Sequence, residues 1–257
     1  MKVKFIYLLP FLLAPFLSQS QVGGLQSDAA YLEELRTISV AVPIIAVSPD
    51  ARAGGMGDVG VASEADANSI YWNTAKLAFL GEGTSSMAIS YTPWLNRLVN
   101  DINLAHVSYA QAIDDKQGFA LAMRYFSLGE IIFKNENNDP LGTGQPYELT
   151  LNGAYGLKLS ENFSMGVGVR WIFSDLTNGL QTPGVQSEPG QSLGADLGFY
   201  YNSREFSMGQ GQFQSYALGL NISNLGGKIS YGGVSQEGAD FLPANLRLGG
   251  AYNLKFD

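Results

Sequence analysis

Residues 163–173 read FSMGVGVRWIF. Phe163, Met165, Val167, Val169, Trp171 and Phe173 take every second place, with Ser164, Gly166, Gly168 and Arg170 between them. A period of two belongs to extended strands, whose successive side chains leave on opposite faces. One face is therefore large and apolar, the other small or polar. Residues 147–159 repeat the pattern, setting Tyr147, Leu149, Leu151, Tyr155, Leu157 and Leu159 against Glu148, Thr150, Asn152, Gly156 and Lys158. So do residues 246–256, with Leu246, Leu248, Tyr252, Leu254 and Phe256 against Arg247, Gly249, Asn253 and Lys255.

Working outward from these three, the same alternation gives eight strands, at 85–93, 103–113, 118–133, 147–160, 163–176, 191–202, 214–225 and 243–256. Most reach the ~9–11 residues that a tilted strand needs to cross a bilayer. The connections at 114–117 and 160–162 are tight, whereas 134–146, 177–190 and 226–242 are long and rich in Gly, Pro, Asn and Gln. Short turns at one end and long loops at the other predict an all-β, transmembrane antiparallel β-barrel. Tyr91, Trp94, Tyr147, Phe173 and Tyr200 then belong to its interfacial aromatic girdles. A soluble β-sandwich also alternates, but the small polar faces fit a confined lumen better than a solvated sheet, and 118–133 and 147–160 are long for sandwich strands.

Composition agrees, with 46% hydrophobic and 15% charged residues, 31 glycines, 14 Phe and 13 Tyr. A net charge of −8 argues against nucleic acid as a partner. Residues 1–20 carry Lys2 and Lys4, an apolar run and Ser18-Gln19-Ser20, the plan of a Sec signal peptide, with 21–50 as a leader. With no cysteine there is neither a lipoprotein attachment site nor a disulfide.

Between the leader and the strands lies a different composition. Residues 51–60 hold four glycines in ten, and Ser63 can cap a short helix over 63–71 that carries Glu64 and Asp66 in its first turn. Ala51-Arg52-Ala53-Gly54-Gly55-Met56-Gly57-Asp58 is followed by Tyr71-Trp72-Asn73-Thr74-Ala75-Lys76-Leu77-Ala78. This pair of motifs resembles the N-terminal signature of the FadL-like outer-membrane barrels, with Thr74 where the usual proline stands. The preceding Ala41-Val42-Pro43 and Ser48-Pro49-Asp50-Ala51-Arg52 resemble the PorV family within that group.

The resemblance implies a hatch over 51–84 inside a pore, with Gly54, Gly55, Gly57, Asp58, Tyr71, Trp72 and Asn73 as its candidate residues, and barrel strands over 85–257. It also implies fourteen strands, so a chain showing about eight is expected to be truncated. A complete eight-strand barrel is the alternative, although its interior would be filled by side chains and leave no room for a hatch. The implied place is the outer membrane of a Gram-negative bacterium after Sec export. The implied role is a component of the type IX secretion system. Its partners would be an SprA-type translocon barrel, cargo bearing a C-terminal secretion domain, the surface attachment complex and outer-membrane lipid. Loops 134–146, 177–190 and 226–242 are the candidate partner-binding segments.

If the apolar faces meet lipid, Arg124, Glu148, Lys158, Arg170, Asp196 and Arg247 point into the lumen. They are expected to pair with each other or with Asp58, Glu64 and Asp66 as a structural network. Catalysis is not expected, nor a cofactor or metal. His106, the one histidine, reads as packed or lumenal, and Asp114-Asp115 and 135–139 read as solvated turns rather than calcium loops. A FadL-type channel for hydrophobic compounds is the alternative function. An apolar lumenal pocket with a few polar anchors would favour it.

Overall fold

In the computed structural model, which describes residues 40–135, 137–178, 188–209, 212–231 and 239–256, the alternating segments form one curled antiparallel sheet. Its strands are β1 (Ser85–Pro93), β2 (Ile102–Ala112), β3 (Gln117–Leu128), β6 (Tyr147–Lys158), β7 (Phe163–Asp175), β8 (Gly190–Asn202), β10 (Gln212–Gly226) and β11 (Asn245–Phe256). They neighbour one another in that order, an eight-stranded half-barrel with the short β9 (Phe206–Gly209) added beside β10. The signal peptide and residues 21–39 of the leader lie outside the described residues.

Every expected strand is present, but 118–133 is two elements. Gly129, at φ 79°, turns the chain out of β3, and β4 (Ile131–Lys134) then pairs with β5 (Pro140–Gly144) in a separate hairpin. Loop 134–146 is therefore partly sheet.

The sheet's faces decide between barrel and sandwich. Outward side chains are bare: Ile89 is 74% exposed, Val169 68% and Leu248 70%. Inward positions are buried, including Gly166, Gly168 and Arg170 of β7. A sandwich would bury the greasy face, and this fold buries the other. Aromatic contacts mark two levels of the apolar band. Tyr125 stacks on Tyr147 and Tyr147 meets Phe173 near the long loops, while Phe163 stacks on Phe199 and Tyr201 on Tyr216 near the short turns. From Phe163 to Phe173 the strand climbs about 33 Å along its own axis, hence roughly 25 Å along the barrel axis at a tilt of ~40°, the height of a lipid-facing apolar band. Among the described residues no helix is long and apolar enough to cross a membrane.

Residues 40–84 fill the concave side. They comprise a 3₁₀ turn (Pro43–Ala46), α1 (Ala51–Gly55), α2 (Ser69–Trp72) and a 3₁₀ segment (Thr74–Phe79). Ala41, Val42, Ile44 and Ile45, which the sequence reading puts in the leader, pack with Leu104, Ile172, Ile229 and Leu242. The expected helix over 63–71 is shorter and later. Ser63 donates to the Gly60 carbonyl (3.0 Å) instead of capping, and α2 starts at Ser69, whose hydroxyl accepts the Asp66 N–H (2.9 Å).

Candidate functional site

The site is the contact between hatch and wall. In the glycine-rich part, Asp50 starts α1 by accepting the Arg52 N–H (3.0 Å), so four glycines in ten residues do not prevent a helix. Gly54 and Gly55 meet no neighbour that would exclude a side chain, whereas Gly57 has φ 85° and Asp58 φ 59°, the left-handed corner that ends α1. Gly60 was not singled out from sequence, yet a Cβ there would lie 2.3 Å from the Trp72 ring. Trp72 is held in turn, its indole N–H donating to the Asp50 carboxylate (3.2 Å).

Asn73 is the pivot. Its Oδ1 accepts the Ala75 N–H (3.1 Å), and its Nδ2 donates to the carbonyls of Val61 (3.1 Å) and Phe199 (3.0 Å), joining hatch to β8. Thr74 follows the Asn73 cap at the first position of the 3₁₀ segment, a place proline suits as well. That is why its replacement leaves the turn intact.

The wall receives this segment through a row of glycines. Gly118, Gly156, Gly166 and Gly198 stand directly opposite one another across β3, β6, β7 and β8, and Gly219 stands opposite Gly249 across β10 and β11. A Cβ would come within 2.2 Å of the Leu77 carbonyl oxygen at Gly118, 2.8 Å of the Thr74 oxygen at Gly156, 2.3 Å of the Ala75 nitrogen at Gly166 and 2.2 Å of the Val61 oxygen at Gly219. At these four positions backbone meets backbone, while Gly198 faces the Asn73 side chain and Gly249 that of Val61. Ser164 adds a hydrogen bond to the Ala75 carbonyl (2.7 Å).

The expected lumen charges divide. Arg124 and Arg247 clamp Tyr71 from β3 and β11, with their guanidinium carbons 5.1 and 4.7 Å from its ring centre. Arg124 donates to the carbonyls of Ile44 (2.9 Å) and Val47 (3.0 Å), and Arg247 to the Tyr71 carbonyl (3.2 Å) and hydroxyl (3.1 Å). Burial pushes the Tyr71 hydroxyl up in pKa, opposed chiefly by Arg247 and Arg124, so it keeps its proton and donates to the Ala46 carbonyl (2.7 Å). Arg170 pairs with Asp196 (3.0 Å), both side chains 6% exposed, and also reaches Asn152 and Asn224.

The other expected pairings do not form among the described residues. Glu148 is buried near Ser174 and meets no cation, Lys158 donates to the Asp115 carbonyl (2.8 Å) at the short-turn rim, and Asp66 faces Arg52 (3.7 Å) within the hatch. The arginines reach hatch carbonyls, which sequence patterns do not display. His106 is packed on the inner face opposite Arg124 in register, and among the described residues neither ring nitrogen has a hydrogen-bond partner.

Lys76 is the residue that sequence reading missed most. It is fully buried, donating to the Gly60 carbonyl (2.9 Å) and the Ser63 hydroxyl (3.0 Å), and burial lowers its pKa to about 8. Its only signal was its place inside the Trp-Asn motif.

A cleft of about 980 Å³ opens between the hatch and β11, lined by Trp72, Trp94, Met56, Val59, Arg52 and Arg247 among others. Of the candidate loops, 226–242 folds its flanks inward: Ile229 bridges to Asp240, and Ile229 and Leu242 are buried. The Tyr231 carbonyl accepts the Glu188 N–H (2.9 Å), tying that loop to 177–190. Residues 179–187 and 232–238 fall outside the described residues. No cluster of metal-ligating side chains occurs among the described residues.

A protein-family model described as "Type IX secretion system protein PorV" matches residues 30–257. No curated protein matches the chain.

Proposed function

Because the chain belongs to the PorV family of type IX secretion system proteins, outer-membrane components rather than a known enzyme family, we propose that it acts as a carrier. In this reading it binds an SprA-type translocon, takes up cargo bearing a C-terminal secretion domain and delivers it to the surface attachment complex. Residues 1–20 direct Sec export, 21–50 form the leader that runs into the hatch, 51–84 the rest of the hatch and 85–257 barrel wall. The observation that supports carriage over conduction is the seating of the hatch. A plug whose backbone lies against a row of wall glycines and is clamped by Arg124 and Arg247 is bound to its wall by contacts that passage of a solute would have to break.

The test is an affinity pull-down of the tagged full-length protein from detergent-solubilised outer membrane, with mass spectrometry of what co-purifies. Recovery of a giant translocon barrel, or of secreted proteins sharing a C-terminal domain, is the expected result. A preparation holding only the barrel and a lumenal lipid would overturn it in favour of a FadL-type channel for hydrophobic compounds. One observation speaks for that second reading: the cleft beside β11 combines Trp72, Trp94, Met56 and Val59 with the polar anchors Arg52 and Arg247.

A further inference from the structure

The connection from β1 to β2, residues 94–101, lies at the long-loop end and starts just beyond the aromatic girdle. Tyr91 shares a row of the sheet with Tyr125 and Phe173, through Ala105 and Leu149. Such a belt sits at headgroup level, and β1 runs only two residues past it, to Pro93. Pairing then closes with the Trp94 N–H donating to the Ile102 carbonyl (2.9 Å). Trp94 meets Phe126 edge-on at 6.3 Å and lines the cleft beside the hatch, so it belongs to the inner side.

Leu95 turns the chain away from it. Its φ of 51° is a left-handed value that a bulky residue seldom takes, and its carbonyl accepts the N–H groups of Leu98 (2.7 Å) and Val99 (3.1 Å). The result is one tight turn that satisfies these donors internally, as a segment in contact with lipid requires. It bares Leu95, Leu98 and Val99, and Leu98, at 81%, is more exposed than any other large apolar side chain among the described residues, the lipid-facing Ile89 and Leu248 included. Asn96, Arg97 and Asn100 are exposed with them. The turn is held at its far end, where the Asp101 carboxylate accepts the Glu130 N–H (2.7 Å) and its carbonyl accepts the Ser127 hydroxyl (3.3 Å).

What these side chains adjoin indicates what covers them. Met87, Ile89, Tyr91 and Pro93 form the outward, exposed column of β1, and the bare leucines prolong that lipid-facing surface past the girdle. In water they would be a liability to aggregation. At the edge of a bilayer the same turn has the make-up of an interfacial contact, with apolar side chains for the acyl boundary and a guanidinium for lipid phosphate.

We propose that the turn over residues 95–99 is a membrane anchor that dips into the leaflet beside β1, with Leu95, Leu98 and Val99 among the acyl chains and Arg97 on a lipid phosphate. It sets how deep the wall sits at β1, and it does not depend on the carrier reading. The chain has no cysteine, so a nitroxide spin label can be placed at one chosen position: Leu98→Cys in the turn, Val169→Cys on the lipid-facing wall or Asn137→Cys on the exposed loop 134–146. Each labelled full-length protein is reconstituted in vesicles of phosphatidylcholine and phosphatidylglycerol. Collision of the label with oxygen, which concentrates in lipid, is compared with its collision with a water-soluble nickel chelate. Anchoring predicts an oxygen-to-nickel ratio at 98 roughly fivefold or more above that at 137 and close to that at 169. Adding Arg97→Glu should about halve the ratio at 98. Equal ratios at 98 and 137 would overturn the proposal, since the turn would then stand in water. So would a label at 98 shielded from both reagents, because protein would then cover it. An aqueous ratio at 169 as well would overturn the lipid-facing wall and the anchor together.

Discussion

Replacing Gly166 with alanine would put a methyl carbon 2.3 Å from the Ala75 nitrogen and the Thr74 carbonyl carbon and 2.6 Å from the Thr74 oxygen. All three are backbone atoms, so no rotamer change relieves the clash, and the hatch must retreat by about 1 Å to restore van der Waals separation. Overpacking of this kind costs about 1–3 kcal/mol. The retreat also strains the bonds from Ser164 to the Ala75 carbonyl and from Asn73 to the Phe199 carbonyl, each worth about 1 kcal/mol or more when its buried groups are left unmet. The total, about 4 kcal/mol, is roughly a thousandfold in the hatch-seating equilibrium. Gly153→Ala is the control, since a Cβ there lies 3.8 Å from its nearest neighbour on the outward face. Hydrogen exchange of peptides covering residues 69–80, in detergent, reads the effect. Exchange should rise by about three orders of magnitude in Gly166→Ala and stay unchanged in Gly153→Ala. Wild-type protection in Gly166→Ala would refute the glycine row as the seat.

Three further outcomes follow from the same geometry. Lys76 has a folded pKa of about 8 against 10.5 for an ordinary lysine. Across that window the unseated hatch holds the extra proton, so seating strengthens as pH rises from 8 towards 10.5, by at most about 3 kcal/mol. Below pH 8 the full penalty remains, and Lys76→Met should flatten the rise measured by hydrogen exchange. Arg170→Met leaves Asp196 charged and buried and should cost about 3–5 kcal/mol in urea unfolding, with part recovered when Asp196→Asn is added. Val169→Lys places a charge on the lipid-facing side and should lose about 2–4 kcal/mol in lipid vesicles, with little change in hatch exchange.

The wall was legible in the sequence because one rule governs it. Residues 163–173 announce both faces of β7, and the greasy face is the bare one, as the lipid assignment of Val167 and Val169 required. The limits of elements inside the hatch were less legible. Ser63 looks like a cap by residue type, but Lys76 and Gly60 claim its hydroxyl, and tertiary contacts override local propensity. Arg124 and Arg247 could be placed in the lumen by alternation, yet their partners are carbonyl oxygens, which every residue has and no pattern marks. Thr74 departs from its motif without consequence because the position needs a tolerant first residue after Asn73, and both threonine and proline supply one.

The seat also bears on how such proteins change over generations. Most of the hatch atoms nearest the glycine row are main-chain: the oxygens of Leu77, Thr74 and Val61 and the nitrogen of Ala75. The fit there depends on the course of the hatch backbone, with the side chains of Asn73 and Val61 entering at Gly198 and Gly249, and the wall cannot gain a single carbon at Gly118, Gly166 or Gly219 without losing it. The ancestry of the plug is recorded in the strands around it. A hatch transplanted from a distant relative should seat only where those six wall positions have stayed empty.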